Sequence, residues 1–202
     1  MDFFPPDPET PEPDVSMSVR QPRWQAADDE LPVLLPVSET LAVTDHLALG
    51  LFGIAVYSDG VEFHLEGRLR RNDMPPREWS ELCTDFVGHG GMGGLPDPGG
   101  RLRFGLVLGD GEKVLDEGFP YFGHGDLPSD SEVHSLSRNS NGAGGDDRRF
   151  TSSDRLWLWP LPPEGPIEFV LQWPALGVEE RRIVLDGTAM RELATRVQRF
   201  WS

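Results

Sequence analysis

The stretch VEFHLEGRLR, residues 61–70, decides the fold more than any other part of the sequence. Apolar and polar residues alternate along it, and this period of two is typical of a β-strand with one buried face. It follows the turn Ser58-Asp59-Gly60 and the apolar run LALGLFGIAVY, residues 47–57. An Asp-Gly turn between two such runs predicts a β-hairpin. The parity of the first run slips near Gly50 and Gly53, so we expect a β-bulge there or a strand buried on both faces.

The remainder of the chain predicts further short strands separated by turns. A second hairpin is expected over residues 101–117, and apolar strands are expected over 156–159, 167–173 and 181–186. Together these runs predict a mainly β chain, an antiparallel β-sandwich of immunoglobulin-like or jelly-roll-like type.

Two helices complete the predicted sandwich. Residues 77–87, REWSELCTDFV, are compatible with a short central helix after two prolines. From Met190 to Trp201 apolar residues recur at spacings of three and four, which predicts an amphipathic C-terminal helix over 187–201. Asp186 or Thr188 would cap that helix.

Polar segments set the domain boundaries. Residues 1–30 hold eight acidic residues and five early prolines, which favours a disordered leader because so little apolar surface offsets the ordering entropy. Residues 31–202 then form a single domain. Within it, residues 123–148 are rich in Gly, Ser, Asp and Asn and are expected to form one long polar loop.

Composition excludes several classes of function. The chain of 202 residues has 34 acidic and 18 basic side chains, a net charge of -16, which argues against nucleic-acid and anionic-membrane partners. Cys83 is the only cysteine, so an intrachain disulfide is excluded and a reducing compartment is favoured. The N-terminal residues lack the pattern of a signal peptide, and we therefore expect a cytoplasmic protein.

The stretch WLWPLPPEGPIEFVLQWPALGVEE, residues 157–180, contains a dense set of Trp, Pro and Gly residues. It resembles a group of uncharacterised actinobacterial proteins that share a WPLPPxGPxxFxxxWPxxGxxE core. The matching positions are Trp159, Pro160, Leu161, Pro162, Pro163, Gly165, Pro166, Phe169, Trp173, Pro174, Gly177 and Glu180. The resemblance implies a recurring scaffold and no assigned activity. Because proline restricts the backbone, these prolines stiffen an extended connection. The residues themselves therefore favour a structural role for the motif over a ligand site.

The strand 61–70 also carries the best candidate for chemistry. Glu62, His64 and Glu66 share one face at intervals of about 7 Å, a pattern that can bind a divalent metal or support acid and base catalysis. The alternative is a solvated sheet face with alternating charges, and the sequence favours that reading. No other His, Asp or Gly cluster has a metal-ligand spacing, so we expect neither a metal nor an organic cofactor.

Trp157 and Trp159 are the candidate binding residues. Leucine and tryptophan alternate over 156–159, so whichever pair faces the core, large apolar groups also occupy the other face. Either the C-terminal helix covers that face, or an exposed aromatic patch remains for a partner or a sugar ring.

The sequence favours a non-enzymatic module that binds a protein partner or regulates one, acting through the aromatic region or the polar loop. One alternative is a hydrolase or metal-dependent enzyme that uses Glu62, His64 and Glu66. That alternative predicts a further carboxylate or His converging on the strand, and a flat open face would contradict it. A carbohydrate-binding module is a third reading, which the lack of a secretion signal disfavours.

Overall fold

The described part of the chain, residues 25–87, 100, 102–116 and 133–201 of a computed structural model, consists mainly of antiparallel strands. The twelve strands in this part of the chain are β1 Glu30–Leu31, β2 Val33–Leu35, β3 Glu39–Val43, β4 Leu47–Val56, β5 Val61–Arg70, β6 Arg103–Val107, β7 Lys113–Leu115, β8 Ser135–Gly145, β9 Arg149–Trp159, β10 Pro166–Trp173, β11 Val178–Asp186 and β12 Gln198–Arg199. The helices are α1 Pro76–Phe86 and α2 Gly187–Ala194, with a 3-10 turn over Pro174–Leu176.

These strands form two main sheets and a small ribbon. The larger sheet has the order β2-β4-β5-β9-β8, with β3 also paired to β4, and the smaller has the order β11-β10-β6-β7. β1 and β12 pair only with each other. Both expected hairpins are present, as β4–β5 and β6–β7. The register of β4 on β5 shifts between Leu51 and Ile54, which confirms the expected bulge.

The two sheets pack face to face through aromatic and aliphatic side chains. Phe63 on β5 and Phe169 on β10 are both fully buried, and their rings lie 5.5 Å apart. Phe169 also contacts Phe104 on β6, at a ring separation of 6.0 Å. Full burial of side chains of this size stabilises the fold by about 2–3 kcal/mol each. The mainly β sandwich expected from the sequence is therefore present.

The two helices close the core at opposite ends of β10. Phe86 of α1 stacks on Trp173 with ring planes 10° apart, and its other neighbour is Phe150. Gly67 on β5 leaves room for the Phe86 ring, since a Cβ there would overlap it. At the other end, Met190 of α2 is fully buried.

The Trp-Pro-Gly motif builds this second end. The peptide bond Trp159–Pro160 is cis, and Gly165 adopts a positive φ of 109°. The Gly165 carbonyl accepts a hydrogen bond of 2.9 Å from Gly187 N–H at the start of α2. Gly165 N–H in turn donates to the Thr188 hydroxyl at 3.0 Å. These contacts are structural, as the sequence indicated, while the resemblance to the actinobacterial group stays a prediction.

Three expected boundaries need correction. Residues 135–145 of the expected loop 123–148 form β8, which pairs with β9 along its length, while residues 123–132 lie outside the described residues. The C-terminal helix 187–201 ends at Ala194. Of the expected leader 1–30, residues 1–24 lie outside the described residues, and Glu30 is buried and paired with Arg199.

Candidate functional site

Trp157 lies on the outer face of the larger sheet, yet only 1% of its surface is exposed. Its ring meets Tyr57 edge to face at 5.4 Å, and Gly60 leaves the space that the indole occupies. Ala26 and Ala27, from the segment before β1, pack against the same cluster. Trp157 is therefore not an exposed contact residue, and the N-terminal segment rather than the C-terminal helix covers it.

The covering segment is fixed to the β4–β5 turn by a carboxylate. Glu30 accepts two hydrogen bonds from Ser58, at 3.0 Å from the backbone N–H and at 2.6 Å from the hydroxyl. The neighbouring Trp159 is half-buried and its side chain hydrogen-bonds the carboxyl group of Asp59. Trp159 is thus partly engaged within the fold and offers only a limited surface.

Glu62, His64 and Glu66 do share one face of β5, as the sequence predicted, but they divide into two separate groups of polar contacts. His64 Nε2 and Arg155 Nη1 both lie against Glu62 Oε1, at 2.9 and 3.0 Å. Glu66 Oε1 instead pairs with Arg68 at 2.7 Å. The register places Glu62 beside Trp157 on β9, so both sets of candidate residues meet on this face.

The group that converges on Glu62 from the neighbouring strand is a cation. A guanidinium at 3.0 Å satisfies the carboxylate and repels a divalent metal, whereas a metal site needs a further His or carboxylate. Within the described ranges, no three His, Cys, Asp or Glu residues lie close enough to hold a metal ion. The geometry is that of a paired, partly buried charge cluster.

Burial and charge also perturb Tyr57 beside this cluster. Desolvation raises the pKa of its phenol, and the negative charge of Glu62 adds to the increase, which Arg155 partly offsets. The hydroxyl therefore stays protonated and can donate hydrogen bonds across the neutral range.

His134 is a second described histidine whose ring contacts a carboxylate. Its Nδ1 lies 2.6 Å from Glu112 Oε2, which joins the start of β8 to the β6–β7 turn. Its Nε2 is buried and has no hydrogen-bond partner among the described residues. His89 and His124, the other loop histidines of the sequence, lie outside those residues.

Among the residues that the structure describes, the most exposed aromatic side chains lie where the sequence predicted a packed helix. Trp201 is 71% exposed and Phe200 is 55% exposed, with ring centroids 5.7 Å apart. They follow β12, whose partner strand carries Leu31, itself 49% exposed. We call Leu31, Phe200 and Trp201 the aromatic ribbon.

Backbone pairing holds the aromatic ribbon in place. Phe200 N–H donates to the Asp29 carbonyl at 2.8 Å, and Arg199 Nη1 lies 3.9 Å from Asp29 Oδ2. The β1–β12 register sets Leu31 opposite Gln198, so Leu31 and Phe200 lie on the same face of the ribbon. Leu31 and Phe200 are thus presented on hydrogen-bonded backbone, and Trp201 follows Phe200 directly.

The sequence missed this surface because its spacing continues the helical pattern of α2. The signal against a helix is weak, since no Pro or Gly separates Ala194 from Trp201. What ends α2 is a long-range interaction with residues 29–31, which periodicity within the segment does not contain.

Comparisons with known proteins assign no family to the chain: no family model, curated protein or solved structure matches it. Among the described residues no helix is long and apolar enough to cross a membrane.

Proposed function

We propose that the chain is a non-enzymatic protein-interaction module and that the aromatic ribbon is its contact surface. The observation that carries the proposal is the exposure of Phe200 and Trp201, next to a backbone hydrogen bond that joins Phe200 to Asp29. Large aromatic side chains are enriched in protein interfaces, where they supply much of the binding energy at a low entropic cost. Leaving them in water has no stabilising role in the free chain.

The surroundings of the aromatic ribbon indicate the chemistry of the partner. Arg196 and Arg199 precede Phe200 and Trp201 in the chain, and both are exposed. Arginine beside tryptophan is a common composition of interface hot spots. The partner is therefore a protein with an apolar pocket that has an acidic rim.

The alternatives have less support. The enzyme hypothesis on Glu62, His64 and Glu66 requires a converging acid, base or metal ligand, and Arg155 occupies that place. The carbohydrate-binding hypothesis requires exposed rings at Trp157 and Trp159, and the first of these is buried.

A comparison of baits tests the proposal. The full chain, a Phe200→Ala/Trp201→Ala variant and a Val43→Ala/Val184→Ala control are used to retain proteins from the source cells. The control removes side chains that are 66% and 69% exposed elsewhere on the surface. Equal thermal unfolding midpoints show that all three baits are folded.

We expect a partner that binds the full chain and the control, and that binds the aromatic variant with a dissociation constant raised about 30-fold or more. Retention of the same proteins by all three baits would contradict the proposal. It would also be contradicted if the partner failed to bind the control as well as the aromatic variant.

A further inference from the structure

The outer face of the smaller sheet contains a trough of about 280 Å³, which no residue of the aromatic ribbon lines. Gly105 lies in the middle of it, between Leu115 of β7 and Val170 of β10, which are its register partners. Because paired residues of antiparallel strands point to the same face, Gly105 leaves a shallow apolar depression that Leu115 and Val170 border. Leu115 borders it closely, since its Cδ2 lies 3.2 Å from the position that a Gly105 Cβ would take. We call this depression the sheet trough.

Two basic residues stand at the ends of the sheet trough. Lys113 is the register partner of Val107, two residues beyond Gly105 along β6, and Arg103 lies two residues before Gly105. Four residues of strand separate these positions by about 13–14 Å. Both side chains are exposed, and neither forms an ion pair with any described residue. The nearby Arg182 differs, since Glu168 and Glu180 both pair with it at 2.6 Å.

The sheet trough therefore fits an extended peptide with an apolar centre and a carboxylate on either side. The start of this chain, MDFFPPD, has that composition: Asp2 and Asp7 flank Phe3 and Phe4. In an extended, proline-rich conformation the five steps from Asp2 to Asp7 span about 15–16 Å, which matches the separation of the two basic residues.

The tether permits the contact. The 24 residues before Gln25 reach about 80 Å when extended, and a domain of this size has a radius of gyration of about 17 Å. A tether of this kind gives an effective concentration near the millimolar range, so a weak site is filled without a separate partner. At physiological ionic strength charges act over about 8 Å, so the charges that line the trough matter more than the net charge of the whole chain. They are three cations, Arg103, Lys113 and Arg182, against the carboxylate of Glu180.

We propose that residues 2–7 of the chain bind in the sheet trough, with Phe3 or Phe4 over Gly105 and the carboxylates of Asp2 and Asp7 against Arg103 and Lys113. The inference does not rest on the aromatic ribbon and is tested separately from it.

Paramagnetic broadening in the full chain tests the contact. Cys83→Ser removes the native thiol, and a nitroxide label is attached through Thr10→Cys, outside the proposed contact residues. Methyl signals of Val107, Leu115 and Val170 are compared before and after reduction of the label. We expect these signals to lose intensity in the labelled chain and to regain it on reduction.

Two variants identify the cause of the broadening. Phe3→Ala/Phe4→Ala changes only the leader and leaves every residue of the sandwich intact, and Arg103→Glu/Lys113→Glu reverses the charges of the trough. Both should restore the methyl signals. Arg148→Glu/Arg149→Glu makes the same charge change on exposed residues outside the trough and should leave the broadening in place.

The proposal is overturned if the three methyl signals keep their intensity in the labelled full chain, or if the Phe and charge variants retain the broadening. Mixing nitroxide-labelled chain with a separate isotope-enriched chain shows whether the broadening arises within one molecule or between two. Broadening that arises only between molecules would make the occupant a second copy and would also overturn the intramolecular contact.

Discussion

Trp157 and Trp201 show how the same side chain reaches opposite environments in this fold. Trp157 alternates with Leu156 and Leu158 on β9, so its strand face is fixed by the two leucines that enter the core. Its burial then depends on Gly60, Tyr57 and the alanines before β1, which come from distant parts of the sequence. The alternation was readable from the sequence, whereas the cover was not.

Gly60 should be the most sensitive glycine around Trp157. A Cβ at this position would lie 2.5 Å from the Trp157 ring and 2.6 Å from the Leu158 carbonyl oxygen. Gly60→Ala therefore forces the ring or the backbone to move, and we expect the free energy of unfolding to fall by about 1–3 kcal/mol. Urea denaturation measures the change. Gly144→Ala is the control, since nothing lies within 4 Å of its Cβ position; equal losses in both variants would contradict the packing described for Trp157.

Asp154 should make stability fall as pH rises. Desolvation by burial raises the pKa of its carboxyl group, although the charge of Arg138 and a hydrogen bond from Ser140 oppose the increase. Between the unfolded pKa near 4 and the higher folded pKa, the folded chain holds a proton that the unfolded chain has lost. The free energy of unfolding of the wild type, minus that of Asp154→Asn, should therefore decrease with rising pH across that window.

Asp146 supplies a control of opposite sign for Asp154. Its Oδ1 accepts hydrogen bonds of 2.8 Å from the backbone N–H groups of Arg148 and Arg149, which lower its pKa. The stabilisation is present above the unfolded pKa and is lost as pH falls through the folded one. The free energy of unfolding of the wild type, minus that of Asp146→Asn, should therefore increase with rising pH. Urea denaturation from pH 3 to 7 measures how the two free-energy differences change with pH. If both changed in the same direction, the opposite pKa shifts of Asp154 and Asp146 would be contradicted.

The elements that the sequence predicted well are those with a local signal. The β4–β5 hairpin has alternation and an Asp-Gly turn, and its bulge is visible as a slip in parity. β8 was missed because its sequence, SLSRNSNGAGG, is polar and glycine-rich. What makes it a strand is its partner β9, which offers a full row of backbone donors and acceptors to the edge of the sheet.

The sequence predicted that Asp186 or Thr188 caps the C-terminal helix, and the structure confirms Asp186 as the cap of α2. Asp186 precedes the helix, and its Oδ1 accepts a hydrogen bond of 3.1 Å from Ala189 N–H. Asp186→Ala removes this cap and should lower the free energy of unfolding by about 1 kcal/mol, whereas Asp186→Asn retains an acceptor and should cost much less. Thermal or urea unfolding measures both variants. Equal losses would show that the hydrogen bond to Ala189 does not stabilise α2.

Across the whole molecule, the sequence predicted a mainly β sandwich with a C-terminal helix, but it did not predict the exposure of the aromatic ribbon. Fold class follows from composition and period, which are properties of each segment. Exposure of Phe200 and Trp201 depends instead on the β1–β12 ribbon, which joins residues about 170 positions apart. Glu62 and His64 were placed correctly on one face, but Arg155 enters from another strand and changes what the cluster can do.

The most direct test of this account is hydroxyl-radical footprinting of the intact chain, with oxidation at each tryptophan read by mass spectrometry. Trp201 is 71% exposed and Trp157 only 1%, so we predict that Trp201 is oxidised first and that Trp157 stays protected until the fold opens. Trp173, 2% exposed in the core, provides an internal reference for a protected ring. Oxidation of Trp157 at the rate of Trp201, or protection of Trp201 to the level of Trp173, would contradict both the aromatic ribbon and the interaction function proposed for it.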